Sequence, residues 1–161
     1  IVSGHRYSFS CYVRSDHDTG LQVFAEAPDG SLFTDTLTLK CPADSAWIKI
    51  DGQLEGKLSG YGQLVLCFTG RGTVDLDCVV FMDEDCWHAD DPKYTQGKFR
   101  KDLVEALLDL HPRFMRFPGG CITEGRCPGN EYNWKDTVGK LYERRPNFNL
   151  WSERLPDGGY C

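Results

Sequence analysis

The stretch "YSFSCYVR", residues 7–14, alternates apolar with polar side chains and predicts a half-buried β-strand. One face carries tyrosine, phenylalanine, cysteine and valine, whereas the other carries two serines, a tyrosine and an arginine. Successive side chains of a strand point to opposite faces, so this pattern is typical of a sheet with one face against a core. The predicted inner face comprises Tyr7, Phe9, Cys11 and Val13.

Five more segments of residues 1–82 have strand character and are separated by turn-forming stretches such as "APDG" and "TGRG". They are residues 21–26, 32–39, 47–50, 63–68 and 74–81. No helical periodicity occurs before Met82. Short strands at this spacing predict an antiparallel β-sandwich. Tyr7 and Trp47 are predicted to point inward, and Tyr12 and Tyr61 to face solvent.

Composition predicts a folded, water-soluble chain, because 40% of the 161 residues are hydrophobic and 26% are charged. The net charge is −6, and the basic residues form no basic face, so no nucleic-acid partner is expected. This charge is compatible with a neutral polar ligand. No stretch approaches a membrane span, so no membrane partner is expected. The start "IVSGHRYSFS" lacks the features of a signal peptide and suggests the interior of a longer sequence.

The eight cysteines include no C-x-x-C pair, and three of them fall inside apolar strand patterns. A reduced interior is therefore favoured over a disulfide framework, and a cytoplasmic location is slightly favoured over secretion, although the location stays open. Cys86 and His88, with Cys121 and Cys127 elsewhere, lack the paired spacing of a zinc site. No metal or other cofactor is expected.

The spacing of apolar residues changes from a two-residue to a 3.6-residue period after an acidic connector, residues 83–97. The segment "KFRKDLVEALLDL", residues 98–110, predicts an amphipathic helix whose apolar stripe recurs every 3.6 residues. The stripe comprises Phe99, Leu103, Ala106, Leu107 and Leu110. The helix is expected to end at His111, because a residue before proline is disfavoured in helical conformation.

"RFMRF", residues 113–117, predicts a short buried strand that Pro118 ends. A helix, a tight turn, a strand and a glycine loop make half of a β/α repeat. Arg116 would lie at the carboxyl end of this strand, where β/α barrels build their active sites. Gly119 and Gly120 permit positive φ, so Cys121 would be held at the barrel mouth. Alternatively, Arg116 is only a structural ion-pair residue and the glycines only form a turn.

A single helix and strand cannot bury their own faces, and the 41 residues after Gly120 show no long periodic segment. The chain is therefore expected to be a fragment with two parts. Residues 1–82 form the β-sandwich. Residues 83–161 form the incomplete N-terminal part of a (β/α)₈ TIM-barrel domain.

The stretch "LVEALLDLHPRFMRFPGGCITEG", followed in order by "YNWKDTVG" and "RRPNFNLW", closely resembles the α-L-arabinofuranosidases of glycoside hydrolase family 51. The resemblance is clear over residues 73–161. Residues 1–72 more loosely resemble the carbohydrate-binding-like jelly-roll that many members insert after the first barrel strand. The resemblance implies a multi-domain hydrolase without a cofactor.

The implied reaction is retaining hydrolysis of terminal, non-reducing α-L-arabinofuranosyl groups in arabinoxylan, arabinan and arabino-oligosaccharides, as part of L-arabinose metabolism and hemicellulose degradation. The expected partner is such a glycan, with a possible homo-oligomer when the protein is intact. The alternative is a non-catalytic carbohydrate-binding or scaffold protein with a degenerate barrel.

The resemblance also assigns residues. The substrate-binding set is Arg116, which would orient the nucleophile, together with Cys121 and Trp151. The loop-supporting set is Gly119, Gly120, Glu124 and Trp134. The acid/base and nucleophile glutamates are expected outside these 161 residues, so the chain alone is predicted to be inactive.

Overall fold

The computed structural model describes residues 1–94, 99–116, 120–125, 128–129, 131–140, 143–144, 147–148 and 156–157. The chain divides into two compact units, residues 1–110 and residues 111–161. Each unit is described separately below.

The described residues of the first unit form six strands in two antiparallel three-stranded sheets, as the alternating pattern predicts. The first sheet has the order β4-β1-β6 and the second the order β3-β2-β5. The strands are β1 (Arg6–Ser15), β2 (Thr19–Glu26), β3 (Leu37–Cys41), β4 (Asp44–Glu55), β5 (Gln63–Thr69) and β6 (Val74–Asp83). The strand predicted at residues 32–39 begins later, at Leu37, because Leu32 and Thr34 make only isolated bridges.

The core lies between the inner faces of the two central strands. The predicted inner face of β1 is buried, and Phe9 is only 1% exposed. From the other sheet, β2 contributes Leu21 and Val23, which are fully buried. Removal of these apolar surfaces from water is the main force that holds the two sheets together.

The sheets approach closely where β4 crosses the core. Gly52 is the register partner of Phe9. A Cβ atom at Gly52 would lie only 2.7 Å from either terminal methyl carbon of Leu37 on β3. Glycine at this position therefore lets the two sheets close on each other without a side chain between them.

The prediction that Trp47 points inward is wrong. Its side chain is 43% exposed. Ile48 and Ile50 pair in register with the inward residues Val13 and Cys11, so a two-residue period places Trp47 on the outer face of β4. Tyr7 is buried and Tyr61 is fully exposed, both as predicted.

The predicted amphipathic helix is confirmed as α1, Lys101–Asp109. Its apolar stripe is not buried within the described residues: Leu103 and Leu107 are both about half exposed. Before the helix, the guanidinium of Arg100 pairs with the Asp102 carboxylate at 2.6 Å. Among the described residues, no helix combines the length and hydropathy needed to cross a membrane.

The strand predicted at residues 113–117 does not form over its described part, residues 113–116. Phe114 and Met115 are exposed, and no strand of the described residues pairs with this segment. A strand of a parallel sheet needs neighbouring strands to satisfy its backbone N–H and C=O groups. Residue 117 lies outside the described residues.

Phe9→Ala is expected to lower the free energy of unfolding by about 3–5 kcal/mol, because it removes a buried ring and leaves a cavity between the sheets. Chemical denaturation followed by circular dichroism measures the change. The matched control is Ser10→Ala, on the opposite face of the same strand, which is expected to stay within about 0.5 kcal/mol. Equal losses for both variants would contradict the assignment of the core.

Two thiols lie inside this core. Cys11 and Cys41 are both buried and free. Burial raises the pKa of Cys11 to about 11, and the nearby Cys41 thiol adds to the rise. Burial likewise raises the pKa of Cys41. Both thiols therefore stay protonated at neutral pH, where the thiolate is the reactive form.

Iodoacetamide at pH 8 is expected to alkylate the exposed Cys67 and to spare Cys11 and Cys41 until the protein unfolds. Peptide mapping by mass spectrometry measures the order. Modification of Cys11 at the rate of Cys67 in native protein would contradict this burial.

Because the native pKa of Cys11 exceeds its ordinary value, the thiol of the unfolded chain loses its proton at lower pH than the native thiol does. The free energy of unfolding should therefore fall as pH rises from about 9 towards 11.

Candidate functional site

A glycine-flanked helical turn follows the Arg-Phe-Pro-Gly-Gly segment. Gly120 has φ 76° and ψ −162°, a conformation that side chains strongly disfavour. The short helix α2, Cys121–Glu124, begins there, and the Thr123 amide donates to the Gly120 carbonyl at 3.0 Å. Gly125 ends it, again at positive φ. The predicted need for positive φ at Gly120 is confirmed, whereas Gly119 lies outside the described residues.

Arg116 lies in irregular backbone and is exposed, so its predicted place at the end of a buried strand is not found. The Cys121 side chain and all of Trp151 lie outside the described residues. The convergence of Arg116, Cys121 and Trp151 on one sugar therefore stays a prediction.

Trp134 opens a 3₁₀ helix, Trp134–Thr137, that is fastened by its own polar groups. The Asn133 side chain accepts a hydrogen bond from the Lys135 amide at 3.2 Å, which caps the first turn. The Thr137 hydroxyl donates to the Trp134 carbonyl at 2.7 Å. Trp134 itself is 60% exposed, with the Lys135 ammonium 6.0 Å from its ring centroid. The loop thus presents this indole to solvent.

This loop is joined to α2 by the backbone. The Tyr132 amide donates to the Thr123 carbonyl at 3.3 Å. The Tyr132 hydroxyl lies 3.2 Å from the Thr137 hydroxyl, within the same loop. Tyr132 therefore connects the glycine-flanked turn to the segment that carries Trp134.

Arg144 fastens the next bend by bonding to backbone. Its Nε and Nη2 donate to the Gly139 carbonyl at 3.1 and 3.0 Å. Gly139 has φ 106°, a conformation suited to glycine. Beside this bend, Lys140 and Glu143 form a weaker ion pair at 3.8 Å. A guanidinium has five N–H donors, so it can bind one backbone carbonyl through two of them.

Glu124 and Glu131, the two glutamates near the glycine-flanked turn, have local structural environments. Glu131 accepts a hydrogen bond from the Gly129 amide at 2.9 Å, which ties its carboxylate to its own turn. Glu124 ends α2 and is exposed. Within the described ranges, no group of three or more His, Cys, Asp and Glu side chains is arranged to hold a metal ion.

Comparison with known proteins links these loops to a family. The model of the "Alpha-L-arabinofuranosidase 1 domain" matches residues 106–158, a range that holds all seven predicted site residues. α-L-Arabinofuranosidase 1 of Arabidopsis thaliana is 35% identical over 98% of this chain. The predicted resemblance to α-L-arabinofuranosidases is confirmed. The extracellular exo-α-L-arabinofuranosidase of Streptomyces chartreusis is 30% identical over 94% of the chain.

The chain also shares its fold with a solved structure, an arabinose-bound MgGH51 α-L-arabinofuranosidase. The TM-score is 0.74 over 89% of this chain, with 20% sequence identity. The chain spans about a quarter or less of the relatives: 23% of the Arabidopsis protein, 18% of the Streptomyces protein and 24% of the solved chain.

Arg144→Lys is expected to loosen the bend at residues 139–144, because an ammonium cannot place two donors on one carbonyl as the guanidinium does. Hydrogen exchange measured by mass spectrometry should show faster exchange in this segment and unchanged exchange in β1. Lys140→Ala serves as the control, since exposed ion pairs contribute only about 0–1 kcal/mol. Unchanged exchange in the Arg144→Lys variant would argue against the clamp.

Proposed function

We propose that this chain is part of a retaining α-L-arabinofuranosidase that removes terminal α-L-arabinofuranosyl groups from arabinoxylan, arabinan and related oligosaccharides. The observation that carries the proposal is the family match over residues 106–158, because this range contains every residue that the sequence assigns to the site. The similarity of nearly the whole chain to the Arabidopsis arabinofuranosidase supports it. L-Arabinose released from such a glycan is the expected product.

In the intact protein, residues 83–161 begin the catalytic (β/α)₈ barrel and residues 1–82 form the inserted jelly-roll. The apolar stripe of α1 supports this assignment. A barrel helix presents such a stripe to the strands it covers, and here Leu103 and Leu107 remain exposed among the described residues. The exposed segment 113–116 then becomes a barrel strand when its neighbours are present.

The chemistry requires two carboxylates about 5–5.5 Å apart, one acting as nucleophile and the other as acid and base. Glu131 is committed to the Gly129 amide and Glu124 ends a surface helix, so neither is assigned to proton transfer. Both catalytic glutamates belong to other parts of the intact protein. The contribution of residues 83–161 is to bind and position the sugar.

Arg116 is the positioning residue of this segment. A guanidinium pairs with a carboxylate through two fixed donors, which orients the carboxylate and keeps it ionised for attack on the anomeric carbon. The glycines before Cys121 let the backbone approach the furanose ring, and Gly120 already has the conformation that only glycine tolerates well. Trp151 borders the entrance, and Trp134 belongs to the loop that supports the site.

Arg116→Ala in the intact gene product is expected to lower kcat/KM on an aryl α-L-arabinofuranoside by about 100-fold or more, because removal of one preorganised charged partner costs roughly 3 kcal/mol of transition-state stabilisation. Arg113→Ala is the matched control. It removes an exposed arginine three residues earlier and should leave kcat/KM within about twofold.

The outcomes separate the candidate functions. Absence of any hydrolysis by the intact, folded protein would favour a non-catalytic scaffold with a degenerate barrel. If Arg116→Ala and Arg113→Ala reduce hydrolysis equally, the enzyme assignment stands and the role given to Arg116 is refuted. A fall in kcat with little change in KM fits an arginine that acts on the nucleophile.

A further inference from the structure

The outer face of the β4-β1-β6 sheet carries an exposed indole beside a charged row. The guanidinium carbon of Arg14 on β1 lies 5.0 Å from the ring centroid of Trp47 on β4, at cation–π distance. On the other side of Arg14, its Nε and Nη2 both donate to Oδ2 of Asp75 on β6, at 2.9 and 2.6 Å. Trp47, Arg14 and Asp75 thus form one row across three strands.

A cavity of about 520 Å³ opens beside this row. Its walls are the end of β1 at residues 14–16, the entry to β4 at residues 43–45, and the start of β6 at Thr73 and Asp75. The register of β1 with β4 shifts between Val13 and Ser15. Bulges of this kind redirect side chains and are frequent next to binding sites. The volume falls within the range of small-molecule sites, roughly 300–1,000 Å³.

The polar groups of the cavity are held by the backbone. Oδ1 of Asp16 accepts from the Thr73 amide at 2.7 Å, and Oδ1 of Asp44 accepts from the Ala46 amide at 2.8 Å. The neighbouring His17 ring and the Thr73 amide together lower the pKa of Asp16. Each of these carboxylates has a second oxygen that takes no part in these bonds. The cavity therefore presents preorganised acceptors together with the Arg14 donors.

The charges of the lining select the kind of ligand. Three carboxylates, Asp16, Asp44 and Asp75, face a single guanidinium, so an anionic ligand is repelled. A divalent cation needs converging oxygen ligands. The described residues contain no such group of three His, Cys, Asp and Glu side chains. A neutral ligand rich in hydroxyls satisfies both the acceptors and the donors, and the C–H face of a flat pyranose ring suits the face of the indole that the Arg14 guanidinium does not cover.

We propose that this face of the sandwich binds a neutral oligosaccharide of pyranose sugars, with Trp47 as the stacking platform and Arg14, Asp44 and Asp75 as partners for its hydroxyls. This site would hold the main chain of a polysaccharide, whereas the proposed catalytic site takes a furanosyl side group. It does not depend on the arabinofuranosidase activity, because every group that forms it lies in residues 14–75.

Titration of the ¹⁵N-labelled 161-residue chain with xylohexaose tests the site. The indole N–H signal of Trp47 should shift and saturate, and that of Trp87 should not. Trp47→Ala is expected to weaken binding by about tenfold or more, since a stacked aromatic contact is lost. Trp47→Phe should retain most of the affinity, and Asp75→Asn should weaken binding with the ring intact.

Tyr61→Ala is the matched control, because Tyr61 is a fully exposed aromatic residue that does not line this cavity. It should bind xylohexaose within about twofold of the wild type, as expected for a surface substitution. Each of three results would overturn the proposal. The first is that the Trp47 signal does not shift with millimolar xylohexaose. The second is that an α-1,5-arabinohexaose binds more tightly than xylohexaose. The third is that CaCl₂, in place of sugar, saturates the same signals.

Discussion

The contact between the inner faces of β1 and β2 is the constraint on which the first unit depends. Each is the central strand of its sheet, so each is paired on both sides and contributes its apolar side chains to one shared core. Phe9 from β1 and Leu21 and Val23 from β2 are almost completely buried there. Because strand side chains alternate, burial of one face of β1 forces the other face outward. The packing of the core thus decides which residues remain available for binding.

That consequence is clearest at the ends of β1 and β4. Val13 and Ile48 keep the inward register, after which the pairing shifts at Ser15 and opens the cavity beside Arg14. Trp47 is exposed because Ile48 and Ile50 occupy the inner face, and Arg14 is exposed because Val13 does. The connection between β5 and β6 supports the same corner: Gly72 has φ +102°, and a Cβ atom there would clash with the Asp16 carboxylate and the His17 ring. The core and the turns therefore shape the outer surface together.

Sequence pattern alone predicted the sandwich, the inner face of β1 and the amphipathic helix, because a two-residue or 3.6-residue period is a local property of the chain. It misplaced Trp47, since the phase of β4 depends on which of two neighbouring apolar residues faces the core. It also predicted a strand at residues 113–117 that does not form at 113–116, because a parallel strand depends on partners distant in sequence. In the loops it anticipated positive φ at Gly120, but not the bonds from Arg144 to the Gly139 carbonyl. Such contacts follow from the folded path of the loop, which no residue spacing encodes.

The two parts of the chain differ in how their order is maintained. The sandwich buries a cluster of large side chains and satisfies most of its backbone through strand pairing. By contrast, α1 buries no residue, and the described loops of residues 120–144 rely on short-range bonds such as those to Gly120, Asn133 and Gly139. Short-range bonds define the shape of a turn but remove little apolar surface from water. A site built on such turns has little apolar packing of its own among the described residues, whereas a site on the outer face of β1, β4 and β6 is held by the core beneath that sheet.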